Sequence, residues 1–388
     1  MIGHDSSTPL PWLRAARASL LTIALALLAF AAGAADAPDK GAAPPPALVP
    51  DAPASAPDGA ATVPADKPAQ PAGAAKATQA GEPTIDAGRL FGAIVKVSTR
   101  AVPEARSSTT LGPEREGTGV VIGKDGLVLT IGYLIVEADD VQVTDARGHT
   151  LPAQVVAYDH ASGFGLVRTM LPLNADPIDL GDSTRIAEKD PVLIASAGGD
   201  GASFAFVVSK RSFVGNWEYQ LESAIYTSPP TLNWSGAALI DRDGKLIGIG
   251  SLIVREATDS DPKLPGNVFV PIDLLKPILA DLVREGHRAG PPRPWLGVSA
   301  DEIQGRVLIT RVSPEGPADL AGLQAGDIIL AVAGDGVKSQ AEFYQKLWQR
   351  GRRAGDDITL KVLQGTDIRD VKVHSIDRVQ YFRPKTTI

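Results

Sequence analysis

The stretch Thr231-Leu-Asn-Trp-Ser-Gly-Ala-Ala-Leu-Ile240 runs directly into Asp241-Arg-Asp-Gly-Lys-Leu-Ile-Gly-Ile-Gly-Ser-Leu252. Ser235 sits in a tight loop just ahead of an apolar strand, Ala237 to Ile240. A turn at Asp243-Gly244 leads to a second apolar strand, so the pair reads as a hairpin. A serine so placed has two readings. It is a turn residue, or it is a nucleophile, which needs a neighbouring base and a third group to orient that base.

Few side chains could serve as that base. The chain has 388 residues and no cysteine, and its five histidines are His4, His149, His160, His287 and His374. The scattered histidines and missing cysteines exclude a Cys-based redox site and predict neither metal nor cofactor. A net charge of −7 argues against bulk nucleic-acid binding, which relies on a basic face.

Upstream of the serine loop, short apolar runs alternate with turn residues. Leu90 to Val97, Thr118 to Ile122, Leu127 to Thr130, Val141 to Val143, Val155-Val156 and Leu166-Val167 have the spacing of an all-β sandwich or barrel. The period changes at Pro271 to Glu285. There Ile272, Leu275, Ile278, Leu279 and Leu282 share one helical face, which predicts a helix closing the domain.

Gly290-Pro-Pro-Arg-Pro294 is a short linker. A second unit follows: Trp295-Leu-Gly-Val298, a strand at Arg306 to Val312, a turn and short helix at Ser313 to Leu323, and a strand at Gly326 to Val332. A helix from Gln340 to Arg350 and strands at Thr359 to Leu363 and Val371 to Val373 complete it.

Gly316-Pro-Ala, Ala321-Gly-Leu and Gly326-Asp-Ile-Ile resemble a bacterial PDZ domain. The serine loop and its following hairpin resemble the nucleophile loop of trypsin-like proteases of the HtrA/DegP family. The resemblance covers about residues 88 to 382. It implies a mainly β chain: a trypsin-like double β-barrel at 85–288 and an α+β PDZ domain at 291–382. In that family Leu-Thr-Asn-Asn-His leads to the catalytic histidine. This chain reads Leu129-Thr-Ile-Gly-Tyr133, which puts Tyr133 at the histidine position. Asp159-His-Ala-Ser-Gly-Phe-Gly-Leu-Val167 aligns with the aspartate segment and puts Gly163 at the aspartate position. In the oxyanion loop Asn233 and Trp234 replace the family's Gly-Asn, whereas Gly236 is retained.

Only Ser235 of the triad survives. A tyrosine, with an ordinary pKa of about 10, is a poor proton acceptor at neutral pH, and Gly163 has no side chain to orient anything. In proteases, loss of the serine or histidine alone costs on the order of 10⁶ in turnover. The expectation is therefore a non-catalytic pseudoprotease. The alternative is an active serine endopeptidase that uses Ser235 with an unusual base. His160 and His149, near the aspartate segment, and Lys210, Arg211 and Glu222, in the stretch leading to the serine loop, are the candidates for that base.

The resemblance also implies partners. A PDZ domain takes an extended peptide as an added strand and captures its terminal carboxylate on backbone N–H groups. Trp295, Leu296, Gly297 and Val298 would form the carboxylate loop, with Gly297 allowing close approach. Phe343 and Leu347 are the expected groove residues on the helix. A homotrimer, held through Leu90 and Phe91, is a further expectation from the family.

Arg14 and Arg17, the apolar run Ala18 to Ala32 and the small residues Ala32-Gly-Ala34 read as a secretory signal peptide over 1–34, so the body is expected in the periplasm. An uncleaved inner-membrane anchor over 18–35 is the alternative. Residues 35–84 are rich in Pro and Ala and read as a disordered linker.

Overall fold

The computed structural model describes residues 86–198 and 201–383. The expected signal peptide, anchor and linker lie outside the described residues. No helix among the described residues is long and apolar enough to cross a membrane.

Twelve strands form two closed antiparallel barrels. The first contains β1 (Ile94–Ala101), β2 (Glu114–Val121), β3 (Leu127–Ile131), β4 (Ala138–Thr144), β5 (Thr150–Tyr158) and β6 (Phe164–Thr169). The second contains β7 (Pro191–Ala195), β8 (Ala202–Gly215), β9 (Tyr219–Ser228), β10 (Ala238–Ile240), β11 (Leu246–Val254) and β12 (Gly266–Pro271). Closure removes exposed sheet edges. The hairpin read after Ser235 is the β10–β11 pair, with Leu239 opposite Gly248.

Two local expectations are corrected. Leu90 to Val97 is not one strand. Asp86 caps Arg89 N–H at 3.1 Å and starts a short helix, α1 (Ala87–Gly92), before β1. Leu90 then packs in the barrel core, so only Phe91 remains exposed for an intersubunit contact. Pro271 to Glu285 is not one helix either. A 3₁₀ turn at Ile272–Leu274 is separated from a later helix, Leu279–Glu285. Pro277 lies between them, and its ring and missing N–H break an α-helix. Ile272, Leu275 and Leu282 are nevertheless buried, as their spacing required.

The second domain is a sheet in the order β13 (Val298–Ile303), β14 (Arg306–Val312), β15 (Ile328–Val332), β17 (Asp357–Gln364), β18 (Asp367–His374), with the short β16 (Asp335–Gly336) paired to β15. The apolar face of the helix Gln340–Leu347 covers the core of this sheet. It is capped by Ser339, whose hydroxyl accepts from Glu342 N–H at 3.1 Å. Strand β13 is an edge strand. Both domains belong to one compact unit.

Candidate functional site

Strand β3 ends in a 3₁₀ turn, Gly132–Leu134, that carries Tyr133. Ser235 comes from the loop between β9 and β10. The backbone of β2 holds that loop: Thr118 N–H donates to the Ser235 carbonyl at 2.8 Å. Gly236 has φ +74°, and a Cβ there would lie 2.0 Å from the Thr118 carbonyl oxygen. Only glycine fits, so the serine turn retains its shape.

Tyr133 and Ser235 meet. Tyr133 Oη lies 3.0 Å from Ser235 Oγ and 2.9 Å from the Ser251 carbonyl oxygen. The phenol has one proton, and both the Ser235 hydroxyl oxygen and the Ser251 carbonyl stand within reach of it as acceptors. Burial pushes the Tyr133 phenol well above its ordinary value. A neutral phenol, one of the weakest bases a side chain offers, is therefore what stands against the serine hydroxyl.

Gly163 joins the same constellation through its backbone. Its carbonyl accepts from Gly132 N–H at 2.7 Å. Its φ is +87°, and Tyr219 Oη stands 2.8 Å from where its Cβ would be. Tyr219 reaches over from β9 and donates to the Ser162 carbonyl at 2.6 Å. The adjacent carboxylate, Asp159, is committed elsewhere. It accepts from Arg288 Nε at 2.7 Å and Nη2 at 2.5 Å, and from the Ser162 hydroxyl at 2.5 Å.

No alternative base bonds to Ser235 among the described residues. His149 pairs with Asp145 at an exposed hairpin turn. His160 packs on Tyr158 with ring centroids 3.9 Å apart, and burial together with Arg378 drives its pKa well down. Lys210 donates to the carbonyls of Ser183, Thr184 and Ile186. Arg211 pairs with Asp259, and Glu222 is exposed. In the oxyanion loop, Asn233 N–H donates to Thr231 Oγ1 at 3.4 Å, and Asn233 does not adopt a positive φ. Trp234 is half-buried beside it.

In the PDZ domain, the N–H groups of Leu296, Gly297 and Val298 converge, and Gly297 has φ +83° as such a loop requires. Their common acceptor is the carboxylate of Glu218, at 2.9, 2.7 and 2.9 Å. Trp295 stands apart from this cluster; its N–H donates to Ile376. Phe343 and Leu347 are fully buried in the PDZ core and do not line a groove. The helix turns Gln340 and Tyr344 toward the tip of the β8–β9 hairpin instead. Sequence reasoning missed Tyr219, Arg288, Glu218, Gln340 and Tyr344. All five act through contacts more than 30 residues away along the chain, which no local pattern marks. No group of three or more His, Cys, Asp or Glu suited to a metal occurs among the described residues.

Residues 117–249 match the trypsin-like peptidase domain family, and residues 294–374 match the PDZ domain family. The chain is 28% identical over 278 residues to a probable periplasmic serine protease do/HhoA-like of Haemophilus influenzae, covering 66% of this chain and 57% of that protein. It is also 28% identical over 257 residues to the serine endoprotease DegS of Haemophilus influenzae, covering 61% and 71%. An HtrA-type protease, AlgW, solved with a decapeptide, aligns with a TM-score of 0.47 at 21% identity, over 76% of this chain and 97% of that one. The chain therefore spans little more than half the length of the first relative.

Proposed function

We propose, from the premise that this chain joins a trypsin-like peptidase domain to a PDZ domain in the HtrA/DegP arrangement, that it is a non-catalytic polypeptide-binding protein of the periplasm. Its role is that of an adaptor, regulator or holdase in envelope protein quality control. The observation that carries this reading is the pairing of Ser235 with Tyr133 at 3.0 Å, where a proton-accepting base would have to stand. A hydroxyl facing a buried phenol is not activated. The missing carboxylate at Gly163 supports the same reading, because no group is left to orient a base. Polypeptide binding rests on the PDZ domain and its convergent N–H groups.

The test is fluorophosphonate labelling of the full chain beside casein cleavage, with Ser235→Ala as control. The folded protein is expected neither to label nor to cleave. Labelling and cleavage that disappear in the control would instead establish Ser235 as an activated nucleophile and the chain as a serine endopeptidase.

A further inference from the structure

The hairpin tip between β8 and β9 packs against the start of β13 and against the helix Gln340–Leu347. Strand β13 is the free edge to which a peptide would add, with the N–H nest just before it. That edge is already in use. The nest holds the Glu218 carboxylate, and two residues on, Ala300 N–H donates to the Asn216 carbonyl at 2.9 Å. Donors at Val298 and Ala300 repeat the every-second-residue spacing of an added strand. On the other wall, Tyr344 Oη donates to the Gly215 carbonyl at 2.9 Å and accepts from Glu218 N–H at 3.0 Å. Gln340 Nε2 donates to the same Gly215 carbonyl at 3.1 Å.

Glu218 is 5% exposed and forms no ion pair within 4.0 Å among the described residues. It is the last residue of a three-residue loop, since Gly215 pairs with Tyr219. That loop position is left-handed and usually glycine. Glu218 adopts it at φ +54°. A non-glycine residue held there costs about 1 kcal/mol or more. The carboxylate is what glycine could not supply.

We infer that residues Gly215 to Glu218 are a built-in ligand that closes the PDZ groove, with the Glu218 side chain in the place of a peptide's terminal carboxylate. A polypeptide ending in a free carboxylate then binds by displacing this tip. This inference rests on the polypeptide-binding reading for its competitor, but not for the closure itself.

The test uses the full chain with two variants. Glu218→Gly fits the left-handed backbone and removes the carboxyl group; Glu218→Gln keeps the shape and removes the ionisable group. Amide hydrogen exchange over residues 295–300 reads closure without any ligand. Fluorescent decapeptides ending in Val, Leu or Phe, each as free acid and as amide, read competition. Exchange at Leu296 to Val298 is expected to rise at least tenfold in Glu218→Gly. Free-acid peptides, but not amides, are expected to bind it at least tenfold more tightly than the parent. Unchanged exchange in both variants overturns the closure. Raised exchange with equal peptide affinity in parent and variants overturns the competition. Raised exchange with no peptide binding to any protein leaves the closure standing and refutes the polypeptide-binding reading instead.

Discussion

Tyr219 Oη lies 2.8 Å from the point where a Cβ on Gly163 would stand. The aspartate position is therefore filled from the second barrel as well as vacated. Tyr219 is buried, and its bond to the Ser162 carbonyl fixes the hydroxyl in place. Gly163 also has φ +87°, where a Cβ is strained whatever the space.

The catalytic triad is thus not two substitutions away. Gly163→Asp is expected to destabilise the protein by roughly 2–4 kcal/mol, from overpacking and left-handed strain together. Tyr219→Ala combined with it should cost less than the sum of the two single changes, because the clash is relieved. Tyr133→His with Gly163→Asp should still fail to cleave casein. Urea midpoints at unchanged m-value, with a cleavage assay, check all three. Cleavage by the double variant, or a fully stable Gly163→Asp, would show that the position remains open.

The second prediction concerns Asp159 and Arg288. The carboxylate is 5% exposed, and the guanidinium grips it with two nitrogens. Arg288 lies just beyond the helix Leu279–Glu285, so the pair ties the interdomain linker to the first barrel. Burial alone would raise the Asp159 carboxyl, but Arg288 and Ser162 hold it below its ordinary value. A depressed folded pKa gives stability that is present above the unfolded value, about 3.9, and lost as pH falls through the folded one. Arg288→Ala leaves a buried carboxylate unpaired, at a cost of about 3 kcal/mol. Acid unfolding followed by circular dichroism should then begin at a higher pH than in the parent. Superimposable acid transitions would refute the tie.

What the sequence revealed follows from how local each signal is. The β10–β11 hairpin was legible because Asp243-Gly244 and the flanking apolar runs lie within one window. Strand β14 was read to its end residues, Arg306 and Val312. The helix Gln340–Leu347 was legible as an element, but its orientation was not. Phe343 and Leu347 looked like groove residues, yet a helix of two turns lying on a sheet needs its apolar side chains for the core. Proline overrode periodicity at Pro277 and split a helix that spacing alone joined. Tyr133 and Gly163 were found by position within aligned segments. Tyr219 and Glu218 were not, because each acts across a domain or barrel boundary that folding alone creates.

The last prediction is a pH dependence of PDZ closure. Burial pushes the Glu218 carboxyl up to about 7, against the pull of the N–H groups of Leu296, Val298 and Gly297 and of Arg378. Its ordinary value is about 4.3. The closed form therefore holds a proton that the open form has released. Stability from this group is fully present below the open-form value and is lost as pH rises through about 7. Closure should weaken between about pH 4.5 and pH 7 and level off above, by at most about tenfold per pH unit for one proton. The protection factors of Leu296 to Val298, taken against the intrinsic amide exchange rate at each pH, should fall over that window, and affinity for free-acid decapeptides should rise. A peptide carboxyl titrates near 3.5, below it. Other charged and titratable groups around the site are Arg378 near the C-terminal end, Tyr344 on the PDZ helix, and His160, His287 and Arg293 along the adjoining cavity. Burial drives Tyr344 upward and His160 downward, so neither gains or loses its proton near pH 7. Glu218→Gln removes the titrating group and keeps the others. Its protection factors and affinity should be flat across the window. A slope in the Gln variant equal to the parent's would assign the effect to another residue and end the case for Glu218 as the titrating latch.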